Sequence, residues 1–312
     1  MQNEMGEIKT IAIVGSGAVG AYYGARLAAG TGATVSFLMR RDLEAVRESG
    51  LLIKSVDGDF TLKPALAFAT PEEIGPVDLV IVALKTTSNE ALPELIPPLL
   101  KKGTRILTLQ NGLGNEEFLH ANFPDHPVLG GLCFVCINRG EPGVIHHLAH
   151  GRVEMGEFTD RDSVGAAHEL FSRAGLDARL LPNLGLARWR KLIWNIPFNG
   201  LSITEGCIDT EKILASPERV DRVRTLMHEV IAAAAAFGYE IDPAFAESNI
   251  KGTAEMGAYR PSSLIDFEAD QSVEVEPIWG EPLRRARHQG LAMPEPARLY
   301  EQICTAVETR SS

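Results

Sequence analysis

"TIAIVGSGAVGAYYGARLA", residues 10–28, opens as an apolar, β-branched run and closes as an alanine-rich helical one. Gly15, Gly17 and Gly20 stand at the join in G-x-G-x-x-G spacing. In such a turn the first glycine makes the tight bend, the second lets backbone approach a pyrophosphate, and the third lets helix and strand pack closely. The helix N-terminus then faces negative charge. Glycines also end strands for purely structural reasons, but here a strand precedes the motif and a helix starts at about Ala18. The segment therefore reads as a dinucleotide-binding turn built from Gly15, Ser16, Gly17, Ala18, Val19 and Gly20.

Outward from this turn, strand and helix patterns alternate: "TVSFLMR" (34–40), a helix near 43–49, "VDLVIVALK" (77–85) and "TRILTLQNG" (104–112). Short Val/Ile/Leu-rich strands separated by helices indicate a parallel sheet covered on both faces. "LLIKSVDGDFTLKPALAF" interrupts the series as a hairpin, with Asp57 and Gly58 between two alternating runs. Strands follow from about 127, then a helix near 162–175 and a last strand over 178–182. From 183 strand signals nearly vanish and helices take over: 186–198, 218–237 stopped by Gly238, 243–258, 278–289 and 295–309. The chain divides into a Rossmann-type, doubly wound α/β domain over 1–182 and an all-helical domain over 183–312.

Strand ends suggest how the first domain binds its ligand. An acidic residue at the end of the second strand would bind the ribose hydroxyl of NAD, and an arginine there suits the 2'-phosphate of NADP. "LMRRD" places Arg40 and Arg41 at that point, so NADPH is the expected cofactor, although Asp42 follows directly and two solvated loop arginines are an alternative reading. Lys85 closes "VIVALK" and Gln110, Asn111 and Gly112 close "ILTLQNG", at the edge where parallel sheets bind ligands. A return to solvent and a simple turn would explain them equally well.

Of the 312 residues 45% are hydrophobic and 23% charged, enough for a full core, and no apolar run approaches the ~20 residues of a membrane span. The polar, acidic N-terminus lacks the order of a secretory signal, so the cytoplasm is the expected location. The formal charge of -11 disfavours nucleic acid and anionic membrane as partners. An anionic ligand would need a local basic island. Four cysteines make no disulfide framework at this length. Cys133 and Cys136 of "CFVC" lie in a strand pattern that points them to opposite faces, and His146, His147 and His150 have no Asp, Glu or Cys close in sequence to complete a metal shell. No metal site is expected.

In "ARWRKLIWNIPFNG" (187–200) Lys191, Asn195 and Asn199 recur every four residues, on one helical face, among apolar side chains. Pro197 should kink this helix or start a new turn. A lysine so placed could pair with a carboxylate at a domain join. "YRPSSLIDFEADQSVEVEPIWG" adds Ser262, Ser263 and Glu274, readable as helix caps and a solvated acidic face.

The glycine motif, "LK" at 84–85, "QNGLG" at 110–114, "RWRKLIWNIPFN" at 188–199 and "RPSSLIDFEADQSVEVEPIWG" at 260–280, in this order, resemble the ketopantoate reductase (2-dehydropantoate 2-reductase) family over nearly the whole chain. Pro197 and Trp279, the latter where some members have asparagine, are departures. The resemblance implies an NADPH-dependent reduction of 2-dehydropantoate to (R)-pantoate, a step towards pantothenate and coenzyme A. It implies Lys191 as general acid, protonated at neutral pH with an ordinary pKa of ~10.4, and Glu274 as the group that positions substrate, cofactor or lysine. Asn195 and Asn199 would bond the substrate's hydroxyl and carbonyl end, and Ser262 or Ser263 its carboxylate. Lys85 and Asn111 would face the nicotinamide half and the substrate. Arg40, Lys85 and Lys191 together form the basic island. A reductase of another branched 2-keto acid, and a non-catalytic NADP-binding sensor, are the alternatives; a monomer and a homodimer both stay open.

Overall fold

The computed structural model describes residues 7–159 and 163–311, so the first residue of the helix expected over 162–175 lies outside them. The chain forms two compact units. One runs to Gln110 and resumes over Asn115–Leu184; the other is Asn111–Gly114 together with the chain from Gly185 onward. Four residues that follow a Rossmann strand in sequence thus cluster with the helices.

Among the described residues the first unit carries ten strands: β1 (Thr10–Val14), β2 (Thr34–Leu38), β3 (Leu51–Ser55), β4 (Phe60–Leu62), β5 (Leu66–Phe68), β6 (Leu79–Val82), β7 (Arg105–Thr108), β8 (Val128–Arg139), β9 (Val144–Glu157) and β10 (Ala178–Leu180). Its helices are α1 (Ala18–Thr31), α2 (Leu43–Ser49), α3 (Pro71–Ile74), α4 (Leu92–Leu95), α5 (Asn115–Asn122) and α6 (Val164–Arg173). The strands hydrogen-bond in the order β4-β3-β9-β8-β7-β6-β1-β2-β5, with β10 beside β9. Strands β5, β2, β1, β6, β7 and β8 pair in parallel, while β8 with β9 and β3 with β4 are antiparallel. The period of two sends Ile11, Ile13, Leu79, Ile81 and Leu107 into one core and Ala12, Val14, Val80, Val82 and Ile106 into another. The sheet is therefore covered on both faces, as a Rossmann-type fold requires.

The hairpin expectation holds for its first half only. Leu51, Leu52 and Ile53 pair with Leu62, Thr61 and Phe60 across the Asp57-Gly58 turn, but Leu66–Phe68 leaves the hairpin and pairs with β2. Only residues 63–65 separate β4 from β5, yet these strands end opposite sides of the ladder. Four residue steps span at most ~14 Å, whereas nine strands side by side in a flat sheet would set the outer two ~38 Å apart. The sheet is consequently curled, and α1 packs against strands from both halves of it, with Ala21, Tyr22, Tyr23, Gly24 and Ala25 buried. Two register shifts in the β8–β9 pairing, opposite Phe134/Val135 and Cys136/Ile137, leave Gly151 and Leu148 of β9 as extra residues and supply part of the bend. Within this region His147 is taken up structurally: its Nδ1 shares a hydrogen bond with Ser55 Oγ and its Nε2 one with the His150 carbonyl.

The second unit consists of α7 (Leu184–Thr204), α8 (Thr210–Leu214), α9 (Pro217–Ala236), α10 (Ala244–Glu255), α11 (Ser262–Glu268), a π-helical turn (Glu276–Gly280), α12 (Glu281–His288) and α13 (Pro294–Ser311). Ser216 accepts the Arg219 N–H at the start of α9, where Pro217 takes the first helical position. The helix expected over 278–289 is thus a wider turn followed by α12. No helix among the described residues is long and apolar enough to cross a membrane.

Helix α7 continues past Pro197 to Thr204, beyond its expected end at 198, so no separate helix begins at the proline. Losing the hydrogen bond to the Ile193 carbonyl costs about 3 kcal/mol in an exposed helix. Here Trp189, Leu192, Ile193, Ile196 and Phe198 are all buried in one apolar cluster with residues of α9, α12 and α13, and each contributes roughly 1.5–3 kcal/mol. Burial outweighs the proline.

Candidate active site

Gly15 has φ +100°, and a Cβ there would lie 2.3 Å from the Leu84 nitrogen. A Cβ on Gly20 would meet the Gly15 carbonyl oxygen at 2.2 Å. These two glycines are required by close backbone packing alone. Gly17 differs, since a Cβ built on it would meet nothing within 4 Å. The space it leaves lies at the N-terminus of the 14-residue α1, whose first turn holds no acidic residue and whose Gly17 cap offers no side-chain acceptor to the exposed N–H groups. A dinucleotide pyrophosphate fits that open, positively polarised position. Ser16 Oγ donates to the Leu38 carbonyl at 3.0 Å and ties the turn to the end of β2.

Arg40 and Arg41 are exposed just beyond β2. Asp42 is engaged by Arg139 from the tip of β8, Nη2 to Oδ2 at 2.5 Å. Lys85 is half-buried at the start of a 3-10 turn, Thr86–Ala91, beyond β6. A side-chain network that no local sequence pattern announces holds this turn. Gln110 Nε2 donates to the Leu84 carbonyl at 2.9 Å and to Asn89 Oδ1 at 2.7 Å, and Asn89 Nδ2 donates to Asn115 Oδ1 at 3.1 Å. The polar residue at the end of β7 was the available signal. Its partners came from loops whose folding sequence pattern does not show.

In the helical unit, Lys191, Asn195 and Asn199 lie on one face of α7. Half-buried Lys191 donates from Nζ to Asn111 Oδ1 at 2.9 Å, across 80 residues of sequence. The Asn111 loop is held in turn by the π-helical turn, whose Pro277 carbonyl accepts the Leu113 N–H at 2.9 Å. That turn also grips α7, because Trp279, fully buried, donates from Nε1 to the Ile196 carbonyl at 3.0 Å. π-turns recur at functional sites, and this one links both partners of the lysine hydrogen bond. Gly112 makes the close contact possible: at φ +82° its α-carbon faces the Pro277 carbonyl, where a Cβ would stand 2.3 Å from the oxygen.

The two asparagines on α7 differ. Asn195 is 7% exposed, whereas Asn199 is 1% exposed and its Oδ1 accepts the Ser263 N–H at 3.0 Å, securing the start of α11. Ser263 is buried beside it, and Ser262 is exposed. Glu274 is half-buried on the segment entering the π-turn. Glu276, two residues on, has a different task. Its carboxylate accepts hydrogen bonds from Arg284 and from the Tyr300 hydroxyl, which pushes the Tyr300 phenol well above its usual range. Burial alone would raise the Glu276 carboxyl, but the Arg284 and Tyr300 donors hold it lower.

Residues 11–160 match the family model described as ketopantoate reductase PanE/ApbA, and residues 183–306 match that of its C-terminal domain. A 2-dehydropantoate 2-reductase of Nostoc sp. is 41% identical over 301 residues, spanning 94% of this chain and 93% of the relative. Among solved structures, 2-dehydropantoate 2-reductase from Geobacter metallireducens superposes with a TM-score of 0.90 at 45% identity, covering 96% of this chain and 99% of that one. The enzyme from Methylococcus capsulatus gives 0.90 at 34% identity, with 97% and 98% covered. A glycine turn shaped for a dinucleotide, a lysine aimed by an asparagine, and these likenesses over almost the full length place the chain in the ketopantoate reductase family.

Proposed function

We propose that this chain reduces the 2-keto group of 2-dehydropantoate to give (R)-pantoate, using NADPH, with Lys191 as proton donor. NADPH bound at the glycine turn supplies the hydride. As the carbonyl oxygen gains charge, the Lys191 ammonium stabilises it and then delivers a proton from Nζ. The single observation that carries this reading is the 2.9 Å hydrogen bond from Lys191 to Asn111, which aims a cationic donor on a face otherwise surrounded by apolar side chains. Asn195 is the amide that contacts the substrate. Asn199 acts through α11, holding Ser262 at the helix start where its hydroxyl and the first-turn N–H groups suit a carboxylate. Half-buried Glu274 balances the charge of the lysine-bearing site, which would otherwise be costly to desolvate. A branched 2-keto acid is the substrate class, and a sensor would need no such donor.

The test is NADPH oxidation by purified protein, followed at 340 nm across a panel of 2-keto acids, together with Lys191→Ala. A clear preference for 2-dehydropantoate is expected, with turnover lost in the variant and NADPH binding retained. Near-normal turnover by Lys191→Ala would refute the proton-donor role, and a preference for another keto acid would change the substrate.

A further inference from the structure

We propose that Arg139 determines cofactor choice, by neutralising an aspartate that would otherwise oppose the 2'-phosphate of NADPH. The proposal rests on the NADPH reading above. At the end of β2 the chain presents Arg40 and Arg41, and then Asp42. A carboxylate at this point in a Rossmann-type unit accepts ribose hydroxyls and repels a phosphate, so Asp42 belongs to the pattern that favours NADH. Its side chain is not occupied in starting α2: it stands at the N-cap of that helix yet makes no capping hydrogen bond. Instead the carboxylate, 12% exposed, takes the Arg139 guanidinium, 36% exposed, in a contact between residues 97 apart in sequence.

The geometry of the sheet explains how so distant a cation arrives. Arg139 is the last residue of β8, beyond the two positions where β9 carries an extra residue opposite it, and the neighbouring start of β9 is paired with β3 just after α2. Elsewhere on α2, Glu44 lies 3.7 Å from Arg47, which also faces Glu73. Local formal charge over Arg40, Arg41, Asp42 and Arg139 is +2. Without Arg139 it falls to +1, and a carboxylate is released beside the phosphate.

One unit charge acting over about 8 Å near a protein surface, with screening by salt, changes the affinity of a phosphate roughly tenfold. NADPH and NADH are titrated directly against the purified chain by nicotinamide fluorescence, with Arg139→Gln, Asp42→Asn and the double variant alongside. The NADPH-over-NADH affinity ratio should fall roughly tenfold in Arg139→Gln and return to within about threefold of the parent in the double variant. Asp42→Asn alone should keep or raise the ratio, and it tests the same charge should Arg139→Gln fold poorly. An unchanged ratio in Arg139→Gln, a fall in Asp42→Asn, or no recovery in the double variant overturns the proposal. A parent that binds both nucleotides equally overturns the NADPH reading itself, which separates the two failures.

Discussion

Gly112→Ala should cripple turnover, and the structure says by how much. The new Cβ would stand 2.3 Å from the Pro277 oxygen, 2.5 Å from its carbonyl carbon and 2.6 Å from its Cβ. Restoring a 3.0 Å approach requires about 0.7 Å of backbone movement, and none of the clashing atoms is the end of a flexible side chain. The φ of +82° adds roughly 1–2 kcal/mol for an L-residue. With overpacking at about 1–3 kcal/mol, the expected loss of stability is about 2–5 kcal/mol, a fall in Tm on the order of 5–15 °C. The kinetic effect follows from Asn111, the neighbour of Gly112, which orients Lys191: a displacement near 1 Å costs about 10- to 100-fold in kcat. Gly114→Ala is the control. Its φ is +92°, yet its Cβ would meet nothing nearer than Glu281 Cγ at 3.6 Å, so it carries the backbone strain without the collision. NADPH oxidation and thermal melts of both variants decide the matter. A kcat for Gly112→Ala within threefold of the parent, or equal losses in both variants, would show that the loop does not aim the lysine through Pro277.

Two further perturbations probe other parts of the chain. Burial alone would raise the Asp78 carboxyl, but Lys101 and the donors of Lys9 and Thr10 hold it at about 2. A lowered pKa stabilises the fold above the ordinary value near 4 and loses that contribution as pH falls towards 2, so Asp78→Asn should cost about 1–2 kcal/mol at pH 7, after discounting for solvent, and much less at pH 2; equal melting temperatures at pH 7 would contradict this. Asn199→Ala should cost about 1–3 kcal/mol and raise KM for the keto acid, while Asn199→Asp, which retains an acceptor for the Ser263 N–H, should restore most of both. A KM for Asn199→Asp as high as that of the alanine variant would instead mean that the asparagine contacts substrate with its amide nitrogen.

Legibility along the sequence followed the range of the interactions. Strands β1, β2, β6 and β7 were readable because each is a short apolar run between helices, and the glycine turn because its spacing is local. The course of Leu66–Phe68 was not, since nothing in three residues tells which strand they will join. The continuation of α7 past Pro197 was unreadable for a related reason: helix propensity is local, whereas Trp189, Ile193 and Phe198 are buried in a cluster shared with residues of α9, α12 and α13. Lys191 and Asn199 stood out by periodicity, but the residues they pair with could not be told from it. Asn111 and Ser263 lie 80 and 64 residues away, and only the fold shows that one orients the lysine while the other receives the asparagine. Glu276 stands two residues from Glu274, and its partners Arg284 and Tyr300 lie too far along the chain for local pattern to reveal them.

The curl of the sheet has a consequence for how the Rossmann unit opens. Strands β4 and β5, at opposite ends of the ladder, are joined by residues 63–65 alone, so unpeeling one margin pulls on the other. The two margins should exchange their amide protons as one cooperative unit, with matching opening free energies, although they share no hydrogen bond in the ladder. An unbroken linkage of this kind also leaves no long free margin for a second chain to extend, because both outer strands are only three residues long.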